Sequence, residues 1–115
     1  MSGYLKEVNI KEDLPTVQEA LARMNETIRN GKQLGCGAIK LIHGYGSTGR
    51  GGKIRVAVRQ RLAEMKQKRQ IRDYIPGEFF SIFEEPTRQA FLRCEGLRRD
   101  QDLERHNNGI TIIVF

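Results

Sequence analysis

The sequence predicts an α/β fold: a two-layer sandwich of order βαβαβ(insert)β, with helices laid on a four-stranded mixed sheet. Three observations predict it. Thr16-Val17-Gln18-Glu19 has the spacing of a capped helix start after a short alternating stretch. Ala38 to Ile42 is a glycine-bounded apolar run that leads through a glycine-rich loop into a second helical pattern. The chain closes on Gly109-Ile110-Thr111-Ile112-Ile113-Val114-Phe115, which is rich in β-branched residues. At 115 residues, 38% hydrophobic and 30% charged, one domain spanning residues 1–115 is expected.

Taken in order, Val8 and Ile10 alternate with Asn9 and Lys11 in a short first strand, and Asp13-Leu14-Pro15 then breaks the chain. In the helix start the Thr16 hydroxyl and the Glu19 carboxylate can each satisfy an orphan backbone donor. Val17, Ala20, Leu21, Met24 and Ile28 give that helix one apolar face, and Gly31 is placed to end it near residue 30 in a left-handed cap. Ala38-Ile39-Lys40-Leu41-Ile42 is too short for a helix and reads as a buried, central parallel strand. Ile54, Val58, Leu62 and Met65 mark the apolar stripe of a second helix that starts near Lys53 and runs to about Lys68. Arg72-Asp73-Tyr74-Ile75, closed by Pro76-Gly77, makes a third strand. An insert at about 77–108 follows, with a short helix near 86–94 opened by Pro86 and a polar loop over 100–108. Gly109 to Phe115 forms the last strand.

Composition excludes several classes. No apolar run approaches the ~18 residues of a membrane span, and Met1 to Glu7 lacks the apolar core of a secretory signal, so a cytoplasmic chain with no membrane association is expected. Cys36 and Cys94 have no Cys or His neighbours at metal-ligand spacing and read as reduced, buried thiols; no metal and no cofactor are expected.

The net charge of +6 is concentrated in one place. Between Arg50 and Arg72 stand nine basic residues (Arg50, Lys53, Arg55, Arg59, Arg61, Lys66, Lys68, Arg69, Arg72) against Glu64 alone, while the rest of the chain has eleven basic and thirteen acidic residues. Such a stretch is the footprint of a polyanion-binding surface. On a helical wheel Arg55, Arg59 and Lys66 fall within an arc of about 40° beside the apolar stripe.

His43-Gly44-Tyr45-Gly46-Ser47-Thr48-Gly49-Arg50-Gly51-Gly52-Lys53 places five glycines between a strand and a basic helix. Glycine amides can converge on a phosphate because no Cβ blocks approach, and the helix N-terminus adds partial positive charge. Gly44 to Gly49 also matches the G-x-G-x-x-G dinucleotide pattern, but Asp73 starts its strand instead of ending it and the chain is too short for two mononucleotide halves. The Walker pattern fails: Ser47 stands where its first Gly belongs and Ile54 follows the lysine.

The run Leu41-Ile42-His43-Gly44-Tyr45-Gly46, leading through Gly51-Gly52-Lys53-Ile54-Arg55 to Val58-Arg59 and Leu62, resembles the second motif of the Smr (small MutS-related) domain. Thr16 to Leu21 is similar to that family's Thr-x-x-Glu-Ala-Leu helix start, and Gly109 to Phe115 to its closing strand. The resemblance implies a fold like the C-terminal domain of bacterial translation initiation factor three, binding to DNA or RNA, and nicking or endonuclease activity in some members. The first family motif, Leu-Asp-x-His-Gly, is altered: Asn9 replaces the acid and Lys11 the histidine. If those groups carry hydrolysis, chemistry is in doubt here while phosphate binding is not.

The expected function is therefore nucleic-acid backbone binding, in DNA repair or recombination or in RNA or ribosome quality control. Gly44, Gly46, Gly49, Gly51 and Gly52 would supply main-chain donors. His43 and Tyr45 would shape or extend the site, and Arg50, Lys53, Arg55, Arg59 and Lys66 would track adjacent phosphates. An endonuclease using His43 as its catalytic group is the alternative, since an imidazole suits proton transfer near pH 7; a histidine that only holds the loop's shape is the plainer role. His106 reads as exposed in a polar loop. The carboxylates Glu84, Glu85, Asp100, Asp102 and Glu104 read as solvated, not metal-binding. A protein-interaction module using the aromatic insert is a further alternative: Phe79, Phe80 and Phe83 either fill the core or stack on bases.

Overall fold

The Thr16 hydroxyl accepts from the Glu19 N–H at 3.1 Å and the Glu19 carboxylate accepts from the Thr16 N–H at 3.0 Å, so the first helix starts where the capping pattern places it. The structure, a computed structural model, describes residues 3–45 and 50–115. Its elements are β1 (Leu5–Asn9), α1 (Val17–Gln33), β2 (Ala38–Ile42), α2 (Arg50–Gln67), β3 (Asp73–Pro76), α3 (Glu85–Arg93) and β4 (Ile110–Val114), with 3₁₀ turns at Gly77–Phe79 and Glu95–Arg99. The strand order is β1-β2-β4-β3; β1 and β2 are parallel, and β4 runs antiparallel to both of its neighbours. The sheet is mixed and four-stranded, as expected, with two inner strands, β2 and β4.

Two local expectations change. Gly31 does not end α1, which continues to Gln33. It is buried at a close approach: a methyl group there would stand 2.8 Å from Ile39 Cδ1, and the left-handed position falls instead to Gly35, at φ 73°. α2 begins at Arg50, earlier than expected, so the glycines at 51 and 52 form its first turn, where amides have no intrahelical partner to lose.

Alternation along β2 and β4 places apolar side chains on both faces of the sheet. Ile39, Leu41 and Ile113 pack with Ala20, Met24 and Ile28 of α1 and Ile54, Val58 and Leu62 of α2. Ala38, Ile110, Ile112 and Val114 point the other way and are covered by Ile75, Phe80, Ala90, Phe91, Cys94 and Leu97. The two helices of the predicted sandwich thus occupy one face, and segment 77–108 forms a further layer on the other. A sheet with three branched residues on its second face cannot leave them in water.

That layer is tied down by charge as well as by packing. Lys40 Nζ, on a side chain only 2% exposed, reaches Asp102, Asp100 at 3.1 Å and Glu7 at 3.3 Å. Burial opposes the Lys40 charge, but the hydrogen bonds to Asp102 and Asp100 outweigh it and raise its pKa. Asp100 and Asp102 are therefore structural counter-ions rather than solvated carboxylates.

Candidate functional site

Where the chain leaves β2, the His43 and Gly44 N–H groups both donate to the Gly109 carbonyl at 3.0 Å, which fixes the mouth of the glycine-rich segment to the start of β4. Gly44 has φ 81°, a conformation other residues adopt only with strain. His43 is fully buried. Its Nδ1 lies 2.8 Å from the Gly44 carbonyl, which can only accept, so Nδ1 carries the proton; Nε2 then accepts from the Thr111 hydroxyl at 2.8 Å. Burial, with the Arg59 and Arg55 charges adding to it, pushes the His43 pKa down to about 4 against the pull of the Gly44 carbonyl.

That shift has a definite sign. The imidazole is neutral in the folded chain, whereas the unfolded chain takes up its proton near pH 6.5. Stability is therefore undiminished by this group above pH 6.5, falls as the pH drops from 6.5 to about 4, and loses about 3 kcal/mol in all. Urea midpoints measured between pH 7 and pH 4 should fall along that window; a flat profile would contradict the buried neutral imidazole.

Arg59 is held just as firmly. Its Nη1 and Nη2 donate to both Glu78 carboxylate oxygens at 2.8 and 2.7 Å, Nε donates to Thr111 Oγ1 at 3.3 Å, and Nη2 also reaches the Asn108 and Ile110 carbonyls at 3.3 Å. Glu78 pays a burial penalty that raises its pKa, but the Arg59 hydrogen bonds prevail and hold it below the usual carboxylate range. Glu78, Arg59, Thr111 and His43 form one chain of hydrogen bonds under the loop. Arg59, expected on a phosphate, is committed to a carboxylate and to backbone carbonyls.

Above that chain lies an exposed rim. Tyr45 is 61% exposed, and its ring edge lies over Gly109: a methyl group there would stand 2.8 Å from Tyr45 Cδ1. Arg55 Nη1 donates to the Tyr45 carbonyl at 3.2 Å, placing its guanidinium at the loop mouth. Lys53 is exposed on the first turns of α2, a helix with no acidic residue in its first turn to offset its dipole. Lys11, the residue that departs from the family histidine, runs its stem past Gly44, with Cδ 3.4 Å from where a Gly44 methyl would stand. Sequence reasoning left Lys11 out; its position two residues beyond β1, parallel to β2, was the available signal.

Other expected residues lie elsewhere. Lys66 is eleven residues along α2 from Arg55, about 16 Å away, and pairs with Asp73 at 3.0 Å. Gly46 and Gly49 lie outside the described residues, as does the side chain of Arg50; Gly51 and Gly52 belong to α2. His106 is exposed, with Nδ1 donating to the Glu78 carbonyl at 3.2 Å. Of the clustered aromatics only Phe80 is core; Phe79 and Phe83 are exposed. Among the described residues no group of three His, Cys, Asp or Glu is placed to hold a metal ion, and no helix is long and apolar enough to cross a membrane.

A family model for the Smr domain matches residues 14–78, more than half of the chain. The chain belongs to the Smr domain family. The matched span contains α1, β2, the glycine-rich segment, α2 and β3, and ends at Glu78, the partner of Arg59. The altered first motif, Val8 to Glu12, lies outside it. Among solved structures, the Smr domain of Thermus thermophilus MutS2 has the same fold, with 21% identity, a TM-score of 0.58 and coverage of 95% of each chain. Comparison with curated proteins finds no match. Smr domains are, as a class, nucleic-acid-binding or nuclease-type domains.

Proposed function

We propose that this Smr domain binds the phosphodiester backbone of DNA or RNA at the end of the sheet where Gly44 and Tyr45 leave β2. The observation that carries this reading is the approach of cations from two elements, Lys11 after β1 and Arg55 on α2, to the Gly44 conformer and the exposed Tyr45 ring, with Lys53 exposed on the first turns of α2. Main-chain donors of the segment 44–52 meet the phosphate, the N-terminus of α2, with no acidic residue in its first turn, adds partial positive charge, and the Lys and Arg side chains neutralise the phosphate. Tyr45 offers the free face of its ring to a sugar or base. His43 acts through the loop: buried, neutral and bonded at both ring nitrogens, it positions Gly44 and touches no phosphate. A hydrolytic role for His43 would need the proton-exchanging imidazole that this environment suppresses.

The salt dependence of affinity tests the reading. For a labelled oligonucleotide, log affinity should fall linearly with log salt, with a slope of about 0.9 per neutralised phosphate on duplex DNA and about 0.7 on a single strand. An affinity indifferent to salt, or no binding at low salt, would contradict it.

A further inference from the structure

The topology separates the basic residues of α2 into two groups. β2 and β3 are parallel to β1, so α1 and α2 both return along one face and bring their C-terminal ends together, at the far end of the sheet from Tyr45. There the two helices enclose a groove of about 780 Å³ whose lining includes Arg29 and Lys32 from α1 and Arg61, Glu64 and Lys68 from α2 and its end. Lys32 and Gln70 also line a neighbouring concavity of about 580 Å³, whose lining adds Lys66, Arg69 and Arg72.

Seven cations thus line two adjacent concavities, with Glu64 in the lining and Asp73 beside Lys66. Helix C-termini attract cations, but each carries only about half a negative charge, so two ends account for about one of the seven. Bonds within the chain engage two more, Lys66 with Asp73 at 3.0 Å and Arg72, whose Nε donates to the Phe115 oxygen at 3.3 Å. Among the described residues Arg29, Lys32, Arg61, Lys68 and Arg69 have no acidic partner, in contrast to Lys40, Arg59, Arg88 and Arg98. The excess charge lines a concave surface rather than a convex solvated face, and an anionic ligand is what it complements.

We infer that this groove is a second phosphodiester-backbone site, and that the two sites together make the domain a binder of duplexes. The inference rests on the reading of the loop end given above. Lys53 and Lys68 are fifteen residues apart on and just beyond α2, about 22 Å along its axis and about 60° around it, a span of roughly six to seven base-pair steps. Cation clusters held at a fixed spacing by a packed helix complement a polyanion whose phosphates also hold theirs. A duplex, stiff over about 150 base pairs, meets both without ordering cost, whereas a flexible strand must be straightened first.

The test measures affinity and salt slope on a 20-base-pair DNA duplex, the equivalent RNA duplex and a 20-nucleotide single strand. Arg61→Gln with Lys68→Gln should weaken duplex binding about tenfold and lower the duplex slope by about 1–2, with a smaller effect on the single strand. The DNA and RNA arms show which duplex is the ligand. Glu64→Gln, which removes the groove's own acid, should tighten duplex binding about two- to threefold, a gain that misfolding cannot produce. Duplex affinity and slope unchanged in both variants, or equal losses on duplex and single strand, would overturn the proposal. Lys53→Gln with Arg55→Gln, run alongside, reads the loop-end site separately: no effect there defeats that site whatever the groove variants do.

Discussion

Arg59→Ala is expected to lower stability by about 2–3 kcal/mol, although in the sequence Arg59 is one more cation on a basic helix. Its side chain is 19% exposed, and its guanidinium forks onto Glu78 and donates to Thr111 and to two carbonyls of the chain entering β4. Removing it strands the Glu78 carboxylate and leaves the Asn108 and Ile110 carbonyls without this donor, and also takes a partner from the Thr111 hydroxyl that orients His43. Arg55→Ala, which among the described residues removes a hydrogen bond to the exposed Tyr45 carbonyl, should cost about 0.5 kcal/mol or less. Chemical denaturation of both variants distinguishes the roles: equal, small losses would return Arg59 to the group of free phosphate-binding cations.

The second large effect is on binding. Lys53→Gln with Arg55→Gln should weaken duplex DNA binding about ten- to a hundredfold near physiological salt and reduce the salt slope by about 2, one for each phosphate released. Folding should be nearly unaffected because, among the described residues, neither side chain forms an ion pair. A weakened affinity with an unchanged slope would mean that these residues act on the shape of the loop and not by neutralising phosphates.

Local signals in the chain carry far, and their failures share a physical cause. The capping box of Thr16 and Glu19, the glycine-bounded strand and the β-branched C-terminal run all act within a few residues, and each produced the expected element. Arg59 is engaged by Glu78, 19 residues away, and nothing local in the sequence distinguishes it from Arg55. Lys66 joined the site on a helical wheel, which reports angle around the axis and discards the rise along it. Gly31 looks like a helix stop, and only Ile39 and Phe115 packed against it show that it is a contact. The layer on the second face was partly legible: Ile110, Ile112 and Ile113 are apolar without alternation, the pattern of a strand buried on both sides. Lys11 read as a lost histidine, and its side chain instead brings a cation to Gly44.

The most direct test of the loop-end site is a backbone amide map by NMR, recorded while a 20-base-pair duplex is added at low salt. The account predicts the first and largest shifts at residues 11, 44–45 and 52–55, with the Tyr45 ring resonances moving in step. Shifts confined to the exposed aromatics of segment 79–92, with the β2–α2 junction unmoved, would contradict it.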